Sequence, residues 1–353
     1  MSVSSQTSAR LIGQLSTIAD RNGLADLASR LKQLWQWVED DLRNFEVEMK
    51  TLPVGDSRVE KAAHHLTDMG GKHLRPLCLA VASKAGTGFD ERARKLAVAV
   101  ELVHSATLMH DDVIDLGDTR RGHSTSRMIY GNAASIYAGD WLLVQALMRI
   151  QAANVDGLMD QMLAIINDMV HAESLQLENR GRINGSFEDY FSVVEGKTAA
   201  LFRWALRAGG MVGGLDNDSC DALESYGKHL GIAFQAVDDL LDVDGDAQVT
   251  GKALFTDLRE GKMTYPLLMA MERDPSLHDA VRECASTAPE LPLPEDALKT
   301  VLTSLHSTGA IEACREFAAK HSKDAVAAIS GLASAEAASA LITIAEATTF
   351  RKN

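Results

Sequence analysis

Two short Asp-rich motifs are the most chemically suggestive feature of this 353-residue sequence. The pattern D-D-x-x-D occurs at Asp111–Asp115 and again at Asp238–Asp242, each time after a strongly apolar run. On a helix, the first and last Asp of each motif are four residues apart and share one face. Carboxylates in a last helical turn repel one another and oppose the helix dipole, so bound cations would stabilise them. Mg²⁺ suits such a set, because it takes a few carboxylates and completes its shell with water and phosphate oxygens.

A solvated acidic helix end is the alternative interpretation of any single motif of this kind. Two copies on separate predicted helices, both flanked by apolar residues, favour metal binding instead. The predicted metal ligands are Asp111, Asp112, Asp115, Asp238, Asp239 and Asp242.

Cationic side chains in short, glycine-flanked segments are candidates to hold the phosphate groups of a metal-bound substrate. Glycine lets the backbone approach a phosphate closely, Arg offers a bidentate fork and Lys a point charge. Arg120 and Arg121 are the strongest candidates, because they follow the first Asp motif directly. The complete set of basic candidates is Lys72, Arg75, Arg120, Arg121, Lys197, Lys252 and Lys262.

Two further polar residues precede the Asp motifs on the same predicted helices. His104 lies seven residues before Asp111, and Gln235 lies three residues before Asp238. Buried polar side chains need hydrogen-bond partners, so each residue is either part of a polar cavity or a satisfied core residue. Spacing alone leaves both interpretations open.

The composition is that of a globular protein with an acidic surface. The chain is 46% hydrophobic and has a formal net charge of −14. Nucleic-acid binding needs a broad basic surface and is therefore not expected. The four cysteines are far apart and form no C-x-x-C pair, so we expect free thiols in a reducing compartment. Without an apolar signal core or a run of 18 apolar residues, we expect a cytoplasmic protein with no membrane span.

The spacing of proline and apolar residues predicts an all-α fold. No proline lies between Pro76 and Pro266, as expected of long uninterrupted helices. One all-α domain follows, with its core among long helices. The predicted elements are helices over Leu11–Lys50, Ser57–Met69 (behind a capping box), Asp90–Asp115 and Asp218–Asp242, and a loop over Ala288–Pro294.

These motifs together resemble the trans-isoprenyl diphosphate synthases, also called the polyprenyl synthetase family. The resemblance runs from about Arg58 to Pro266 and more loosely to the C-terminus. One departure is Phe255, at a position where the family often has Gly. In the family's order, the matching motifs are G-G-K-x-x-R-P at 70–76, H-D-D-x-x-D at 110–115, D-x-R-R-G at 118–122, G-N-x-x-S at 131–135, G-D at 139–140, G-K-T at 196–198, F-Q-x-x-D-D-x-x-D at 234–242 and D-L-x-x-G-K at 257–262.

The resemblance implies a single-domain isoprenoid-synthase helical bundle with a central cavity, usually a homodimer. Residues 1–40 would form an N-terminal helical extension and residues 41–353 the catalytic domain. The implied reaction joins isopentenyl diphosphate head to tail to an allylic diphosphate (dimethylallyl, geranyl or farnesyl). Its products are a longer all-trans polyprenyl diphosphate and pyrophosphate. Three Mg²⁺ ions, with Mn²⁺ as a substitute, would bridge the allylic diphosphate.

The resemblance also implies roles for individual residues. The six Asp residues would bind the metal, and Lys197 and Gln235 would join them in catalysis. Phe234 and Gln235 would lie near the reacting carbons. The allylic diphosphate would be held by Arg120, Lys197, Lys252 and Lys262, and Thr198 would also bind substrate. The diphosphate of isopentenyl diphosphate would be held by Lys72, Arg75, His104 and Arg121.

Residues just before the first Asp motif form part of the floor of the product cavity in this family, where bulky aromatic residues stop growth early. The residues at these positions are Val103, Ala106 and Thr107, none of which is aromatic. We therefore expect a product longer than C20. A short-chain farnesyl (C15) or geranylgeranyl (C20) diphosphate synthase is the alternative.

Three other interpretations account for less of the sequence. A terpene cyclase also has an Asp-rich metal site, but its second motif normally combines Asn or Asp with Ser or Thr and Glu. An HD-type phosphohydrolase is suggested by His110-Asp111 with His104 nearby, yet it leaves the second Asp motif unexplained. A non-catalytic partner subunit usually has degraded Asp motifs, whereas both are intact here.

Overall fold

A computed structural model of the chain describes residues 12–13, 16–17, 19–20, 23–245, 254–288 and 291–350. The prediction of an all-α fold is confirmed: within these ranges the regular structure is helical, apart from one antiparallel ribbon of two-residue strands. The chain divides into two compact units. Unit 1 comprises Met1–Leu163, Leu201–Gly227 and Ala328–Ala347, and unit 2 comprises Ala164–Ala200, Lys228–Ala327 and Thr348–Asn353.

The longer helices carry the two Asp motifs, and short elements connect them. Among the described residues from 25 onward, the α-helices are α1 (Ala25–Met49), α2 (Arg58–Asp68), α3 (Leu74–Lys84), α4 (Glu91–Ile114), α5 (Ser126–Tyr130), α6 (Asn132–Ala153), α7 (Leu158–Asn179), α8 (Phe187–Val193), α9 (Ala200–Val212), α10 (Asn217–Asp244), α11 (Thr256–Arg259), α12 (Tyr265–Arg273), α13 (His278–Ala285), α14 (Glu295–Ser307), α15 (Ala310–Ala328) and α16 (Ala335–Thr349). A π-helical turn spans Val194–Ala199, a 3₁₀ turn spans Pro275–Leu277, and the strands are β1 (Thr119–Arg120) and β2 (His123–Ser124).

The first predicted helix is interrupted by a glycine. The apolar spacing predicts one helix over Leu11–Lys50, but the chain turns at Gly23, whose φ is +76°. The Gly23 N–H donates to the Asp20 carbonyl and the Leu24 N–H donates to the Ala19 carbonyl, which is the hydrogen-bond pattern of a helix C-cap. α1 begins only after this turn. The prediction of an uninterrupted helix is therefore wrong, because Gly23 adopts the left-handed conformation that ends a helix.

Helix α4 carries the first Asp motif at its carboxyl end, as predicted. The Asp90 side chain accepts a hydrogen bond of 2.9 Å from the Ala93 N–H and so caps the start of the helix. Asp115 is the residue at its C-cap. In unit 1 this helix packs against α1, α3 and α6, and most of its Ala, Leu and Val side chains are buried. This packing fixes the position of the motif.

The segment that follows the first Asp motif forms a β-hairpin that the sequence analysis does not predict. β1 pairs with β2 so that Thr119 lies opposite Ser124 and Arg120 opposite His123. The two residues of the turn, Arg121 and Gly122, have φ values of +52° and +78°. Positive φ at both central positions is typical of a type I′ turn, whose twist matches that of the strands.

In unit 2, helix α10 carries the second Asp motif close to its end. The helix was predicted over Asp218–Asp242 and spans Asn217–Asp244. Near the motif, Ile232 and Val243 belong to an apolar cluster that also includes buried residues of α12, α13 and α14. The second motif is thus attached to a buried core of its own unit.

The structure also bears on the predictions about the cysteines and about membrane-spanning segments. All four cysteines are buried and free. Among the helices of the described residues, none combines the length and the apolar character needed to cross a membrane.

Candidate active site

In the first Asp motif, the middle carboxylate is buried and bonded to an arginine. Asp112 is 4% exposed, and its Oδ1 atom accepts hydrogen bonds from Nε and Nη2 of Arg120 at 2.9 and 2.7 Å. Burial raises the pKa of Asp112, and the Arg120 guanidinium acts in the opposite direction. Asp111 and Asp115 are half-buried. Arg120 thus anchors the motif from the adjacent hairpin.

A cluster of basic residues surrounds His104 in unit 1. The pKa of His104 lies well below its usual value, first because of burial and then because of the positive charges of Arg75, Arg121 and Arg120. The imidazole is therefore neutral at pH 7 and can donate one hydrogen bond while accepting another. Burial also lowers the pKa of Arg121, against the influence of the Glu101 carboxylate. The structure thus brings together four of the predicted phosphate-binding residues.

The G-G-K-x-x-R-P segment contributes Arg75 to this cluster. The Arg75 side chain is 9% exposed, and its guanidinium lies 4.6 Å from the ring centroid of Phe202, at the distance of a cation–π contact. Next to it, His73 has a φ of +48°, and its Nε2 atom is 3.9 Å from the Glu101 carboxylate. Lys72 is exposed. Arg75 is thus buried against an aromatic ring, in contrast to the exposed Lys72.

The residues predicted to form the floor of the product cavity lie on α4. Val103 and Ala106 are 1% and 3% exposed, whereas Thr107 is half-buried and donates its hydroxyl to the His104 carbonyl at 2.8 Å. Small or aliphatic residues therefore occupy the buried face of α4 that precedes the Asp motif.

In the second Asp motif, Asp239 is the buried member and is held by a network of neutral groups. Its carboxylate is 2% exposed and accepts hydrogen bonds from Tyr190 Oη at 2.7 Å and Gln235 Nε2 at 2.8 Å. Thr198 in turn donates to Gln235 Oε1 at 2.8 Å. Burial, followed by the nearby Asp257 charge, raises the pKa of Asp239 to about 7, and the hydrogen bonds act in the opposite direction. This carboxyl therefore titrates near neutral pH.

Asp242 ties the end of α10 to the start of α11. Its carboxylate accepts hydrogen bonds from the Thr256 N–H at 2.9 Å and the Asp257 N–H at 3.3 Å. Its carbonyl accepts the Phe255 N–H at 2.8 Å. Asp238 is half-buried. The last carboxylate of the motif thus also positions the D-L-x-x-G-K segment, which contains Lys262.

Phe255 adopts the backbone conformation that explains why glycine is expected at its position. Its φ is +60°, in the left-handed region that costs a residue with a Cβ atom roughly 1–2 kcal/mol. The side chain is 2% exposed and lies in the apolar cluster of unit 2, so burial of the ring offsets this cost. The departure from glycine therefore leaves the left-handed turn in place.

The G-K-T segment lies in the π-helical turn between α8 and α9. A Cβ atom on Gly196 would lie 2.7 Å from the Ala172 Cβ atom and 3.1 Å from the Asp168 carbonyl, so only glycine fits this close approach to α7. The Lys197 ammonium lies 2.7 Å from the Glu173 carboxylate and 3.1 Å from Gln176 Oε1. Single π-turns within helices are frequently found at functional sites.

One cavity of about 150 Å³ in unit 2 collects several of these residues. Five predicted site residues line it, namely Lys197, Thr198, Gln235, Asp239 and Lys262. Further lining residues that the sequence-based prediction missed include Gln176, Asn179, Arg182, Tyr190 and Asp257. Of these, Asp257 belongs to the D-L-x-x-G-K motif, whereas Tyr190 stands in no recognisable pattern.

The remaining predicted residues fall into three groups. In unit 1, the structure places Asp111, Asp112, Asp115, Arg120 and Arg121 on the end of α4 and the hairpin that follows it. Phe234, Asp238 and Asp242 lie on α10 in unit 2. Lys252 lies outside the described residues.

The donor atoms of the two Asp motifs suit a hard divalent cation. Each motif offers carboxylate oxygens only, and each contains half-buried members beside one buried member. Oxygen ligands of this kind, with room for water and phosphate oxygens, are what Mg²⁺ prefers. The buried members, Asp112 and Asp239, accept hydrogen bonds from protein groups, as does the half-buried Asp242, so a bound metal would share these carboxylates with their protein donors.

Comparison with known proteins identifies the class. The polyprenyl synthetase family model matches residues 56–299. Octaprenyl diphosphate synthase of Escherichia coli is 34% identical over 289 residues, covering 81% of this chain and 88% of the relative. Geranylgeranyl diphosphate synthase of Saccharolobus solfataricus is 34% identical over 254 residues, covering 70% and 74%. A crystal structure of polyprenyl synthase from Caulobacter crescentus, complexed with calcium and isoprenyl diphosphate, superposes with a TM-score of 0.84 at 31% identity and covers 91% of this chain and 98% of that one.

The fold and the site together define an all-α enzyme that transfers prenyl groups. The chain belongs to the polyprenyl synthetase family. Prenyl diphosphate synthases of this family use isopentenyl diphosphate and an allylic diphosphate, and they depend in general on Mg²⁺.

Titration of Asp239 should give the metal-free protein a characteristic pH dependence. Because the folded-state pKa is raised to about 7, the folded protein binds more protons than the unfolded chain between about pH 4 and 7. The free energy of unfolding should therefore fall as the pH rises through this window, by at most about 1.4 kcal/mol per pH unit from this group. Asp239→Asn should remove this part of the slope, as measured by urea unfolding in excess EDTA.

The exposed Asp160 provides a control. Asp160→Asn should retain the wild-type slope. Equal slopes in Asp239→Asn and the wild type would contradict the assignment of a buried, neutral-pH carboxyl to Asp239.

Proposed function

We propose that this enzyme condenses an allylic diphosphate with isopentenyl diphosphate, repeatedly and head to tail, to give an all-trans polyprenyl diphosphate longer than C20. The observation that carries this proposal is the pair of intact Asp motifs, each on a helix that its own unit buries and each accompanied by basic residues. A terpene cyclase would leave the basic cluster around His104 without a use, since it needs no second diphosphate site.

The residues of unit 1 would bind the diphosphate of isopentenyl diphosphate. Arg75 and Arg121 would contribute fixed positive charge, and neutral His104 would donate a hydrogen bond. Lys72, which is exposed, would add a mobile charge. Burial lowers the pKa of His104 most and the positive charges of Arg75, Arg121 and Arg120 lower it further, and an anion bound beside these arginines would relieve their mutual repulsion.

The carboxylates of both motifs would hold Mg²⁺ on the allylic diphosphate, with three ions as the expected number. Bound Mg²⁺ would neutralise the diphosphate and so favour the departure of pyrophosphate from the allylic carbon. Arg120, Lys197, Lys252 and Lys262 would hold the same diphosphate. Thr198 and Gln235 would be positioned by their hydrogen bonds to each other and to Asp239, with Phe234 near the reacting carbons.

Asp112 and Asp239 would have a positioning role besides metal binding. Each is fixed by protein hydrogen bonds, so each holds its half-buried neighbours in a defined orientation. The buried apolar residues on α4, among them Val103 and Ala106, would keep water away from the cationic carbon during the reaction.

Loss of one half-buried carboxylate should abolish most of the activity. Asp238→Asn should lower kcat/KM by at least roughly a hundredfold, because it removes charge that binds metal. Asp244→Asn is the matched control: Asp244 lies on the same helix but is bonded to Arg315 at 2.6 Å, and its loss should leave the rate close to that of the wild type. Steady-state rates with farnesyl and isopentenyl diphosphates measure both effects. Full turnover in excess EDTA would contradict the proposal.

The length of the product should depend on the residues on the buried face of α4. With farnesyl diphosphate and excess isopentenyl diphosphate, mass spectrometry should detect products longer than C20. Ala106→Phe should shorten them, because a buried aromatic ring occupies space that the growing chain needs; Ala106→Ser, which adds little volume, should not. A wild-type product that stops at C15 or C20 would favour the short-chain alternative, in line with the geranylgeranyl diphosphate synthase among the relatives.

We also propose that the enzyme is a homodimer. Helix α7 exposes Leu163, Val170 and Leu177 at intervals of seven residues, each at least 50% exposed, and α6 exposes Tyr137, Val144 and Met148. Apolar residues repeated every seven positions suit packing against another helix, and exposed apolar faces of this kind mark interaction sites. A second copy of the chain is the occupant that the resemblance implies.

Sedimentation velocity should give twice the chain mass of 38.1 kDa. Val170→Asp combined with Leu177→Asp should shift the protein towards the monomer, because each substitution places a charge in the apolar interface. Val54, which is 84% exposed outside these helices, provides the control: Val54→Asp should remain dimeric. A monomeric wild type would overturn the proposal.

A further inference from the structure

Two histidines and an aspartate converge on one point of unit 2, away from both Asp motifs in the sequence. His229, His321 and Asp324 each offer a ligand atom, and these atoms all lie within 4.8 Å of one another. The Nδ1 atoms of the two histidines are 2.9 Å apart. All three side chains are half-buried. The function proposed above gives these residues no role.

The two helices that carry these residues place them in a suitable arrangement. On α15, His321 and Asp324 are three residues apart and so lie on the same face. His229 approaches from α10. The Phe317 ring packs edge-on against the His321 imidazole, with 4.6 Å between the centroids, which restricts the orientation of that ring. The convergence therefore depends on the packing of two long helices and not on a surface loop.

The charges around the cluster favour neutral imidazoles. Burial, followed by the neighbouring His229 and Lys320, lowers the pKa of His321 to about 4. Burial also lowers the pKa of His229. A neutral imidazole keeps a lone pair for a metal, so protons do not compete for these nitrogens at neutral pH.

Two lysines lie near the cluster, and their ion pairs determine which contacts a bound cation would replace. The Lys320 ammonium is 3.2 Å from the Asp324 carboxylate, but its side chain is 70% exposed, so this ion pair is weak. Lys228 is bonded to Glu195 at 2.9 Å. A divalent cation would therefore displace the exposed ammonium of Lys320 from Asp324, and coordination through the Nδ1 atoms would replace the hydrogen bond between the two imidazoles.

We propose that His229, His321 and Asp324 form a binding site for a divalent transition-metal ion of the Zn²⁺ type, distinct from the Mg²⁺ sites of the Asp motifs. Two imidazole nitrogens and one carboxylate oxygen are a set that Zn²⁺ accepts in tetrahedral geometry with water as the fourth ligand. Mg²⁺ prefers oxygen ligands in octahedral geometry and is disfavoured here.

The bound ion would link α10 to α15 at a distance from the reaction. His229 lies nine residues before Asp238 on the same helix, or roughly 13 Å along its axis. The ion would therefore stabilise the helix that carries the second Asp motif without contacting the substrate. The competing interpretation is a simple hydrogen bond between the two imidazoles, which needs no metal.

A titration with Co²⁺ as a spectroscopic probe distinguishes these two interpretations. Full-length protein without a histidine tag would be stripped of metal and kept in excess Mg²⁺, which would compete with Co²⁺ for the Asp motifs. Absorption spectra should reveal one equivalent of Co²⁺ per chain in tetrahedral coordination, displaced by one equivalent of Zn²⁺. Zn²⁺ should also raise the melting temperature, because a ligand that binds only the folded state stabilises it.

Variants of the three ligands make the test specific. His321→Asn and Asp324→Asn should each weaken Co²⁺ binding at least tenfold, whereas His306→Asn, which alters an exposed histidine of α14, should leave it unchanged. Circular dichroism checks that each variant is folded. If His321→Asn does not fold, the Co²⁺ affinity of Asp324→Asn alone tests the proposed site, because Asp324 lies near the surface. The absence of a Co²⁺ equivalent in excess Mg²⁺, or wild-type affinity in Asp324→Asn and His321→Asn, would overturn the proposal.

Discussion

The structure depends on the burial of one carboxylate in each Asp motif. A buried charge is costly unless it is paired or hydrogen-bonded, and the two motifs meet this constraint in different ways. Asp112 is bonded to the Arg120 guanidinium, which supplies a charge. Asp239 is bonded to the neutral Tyr190 and Gln235, and its pKa rises to about 7 as a result of burial. The first motif is thus compensated without metal, whereas the second retains an electrostatic penalty that a bound cation would relieve.

Short segments with unusual backbone conformations surround both motifs and position the residues that act with them. The hairpin turn at Arg121 and Gly122 orients Arg120 towards Asp112. The π-turn brings Lys197 and Thr198 to the cavity of unit 2. The left-handed Phe255 allows Asp242 to accept the N–H groups at the start of α11. In each case a local conformation that costs free energy is held by hydrogen bonds or burial around the site.

Much of this could be predicted from the sequence, and the exceptions have identifiable causes. The capping residues Ser57 and Asp90 start their helices as expected, because the interactions that define a helix start are local. Gly23 was missed as a helix stop, since glycine also occurs within helices and only its positive φ distinguishes the two cases. The pairing of Tyr190 with Asp239 joins residues 49 positions apart, and no spacing rule reaches that far. Likewise, the convergence of His229 with His321 appears only once α10 and α15 are packed.

The most direct test of the proposed site is a crystal structure with Mn²⁺ and a non-reactive thio analogue of the allylic diphosphate. Mn²⁺ replaces Mg²⁺ and can be located by its anomalous scattering. The proposed chemistry requires Mn²⁺ ions bonded to carboxylate oxygens of both Asp motifs and to oxygens of one and the same diphosphate. If Mn²⁺ and the diphosphate occupied one motif while the other bound neither, the roles assigned to the two Asp motifs would be contradicted.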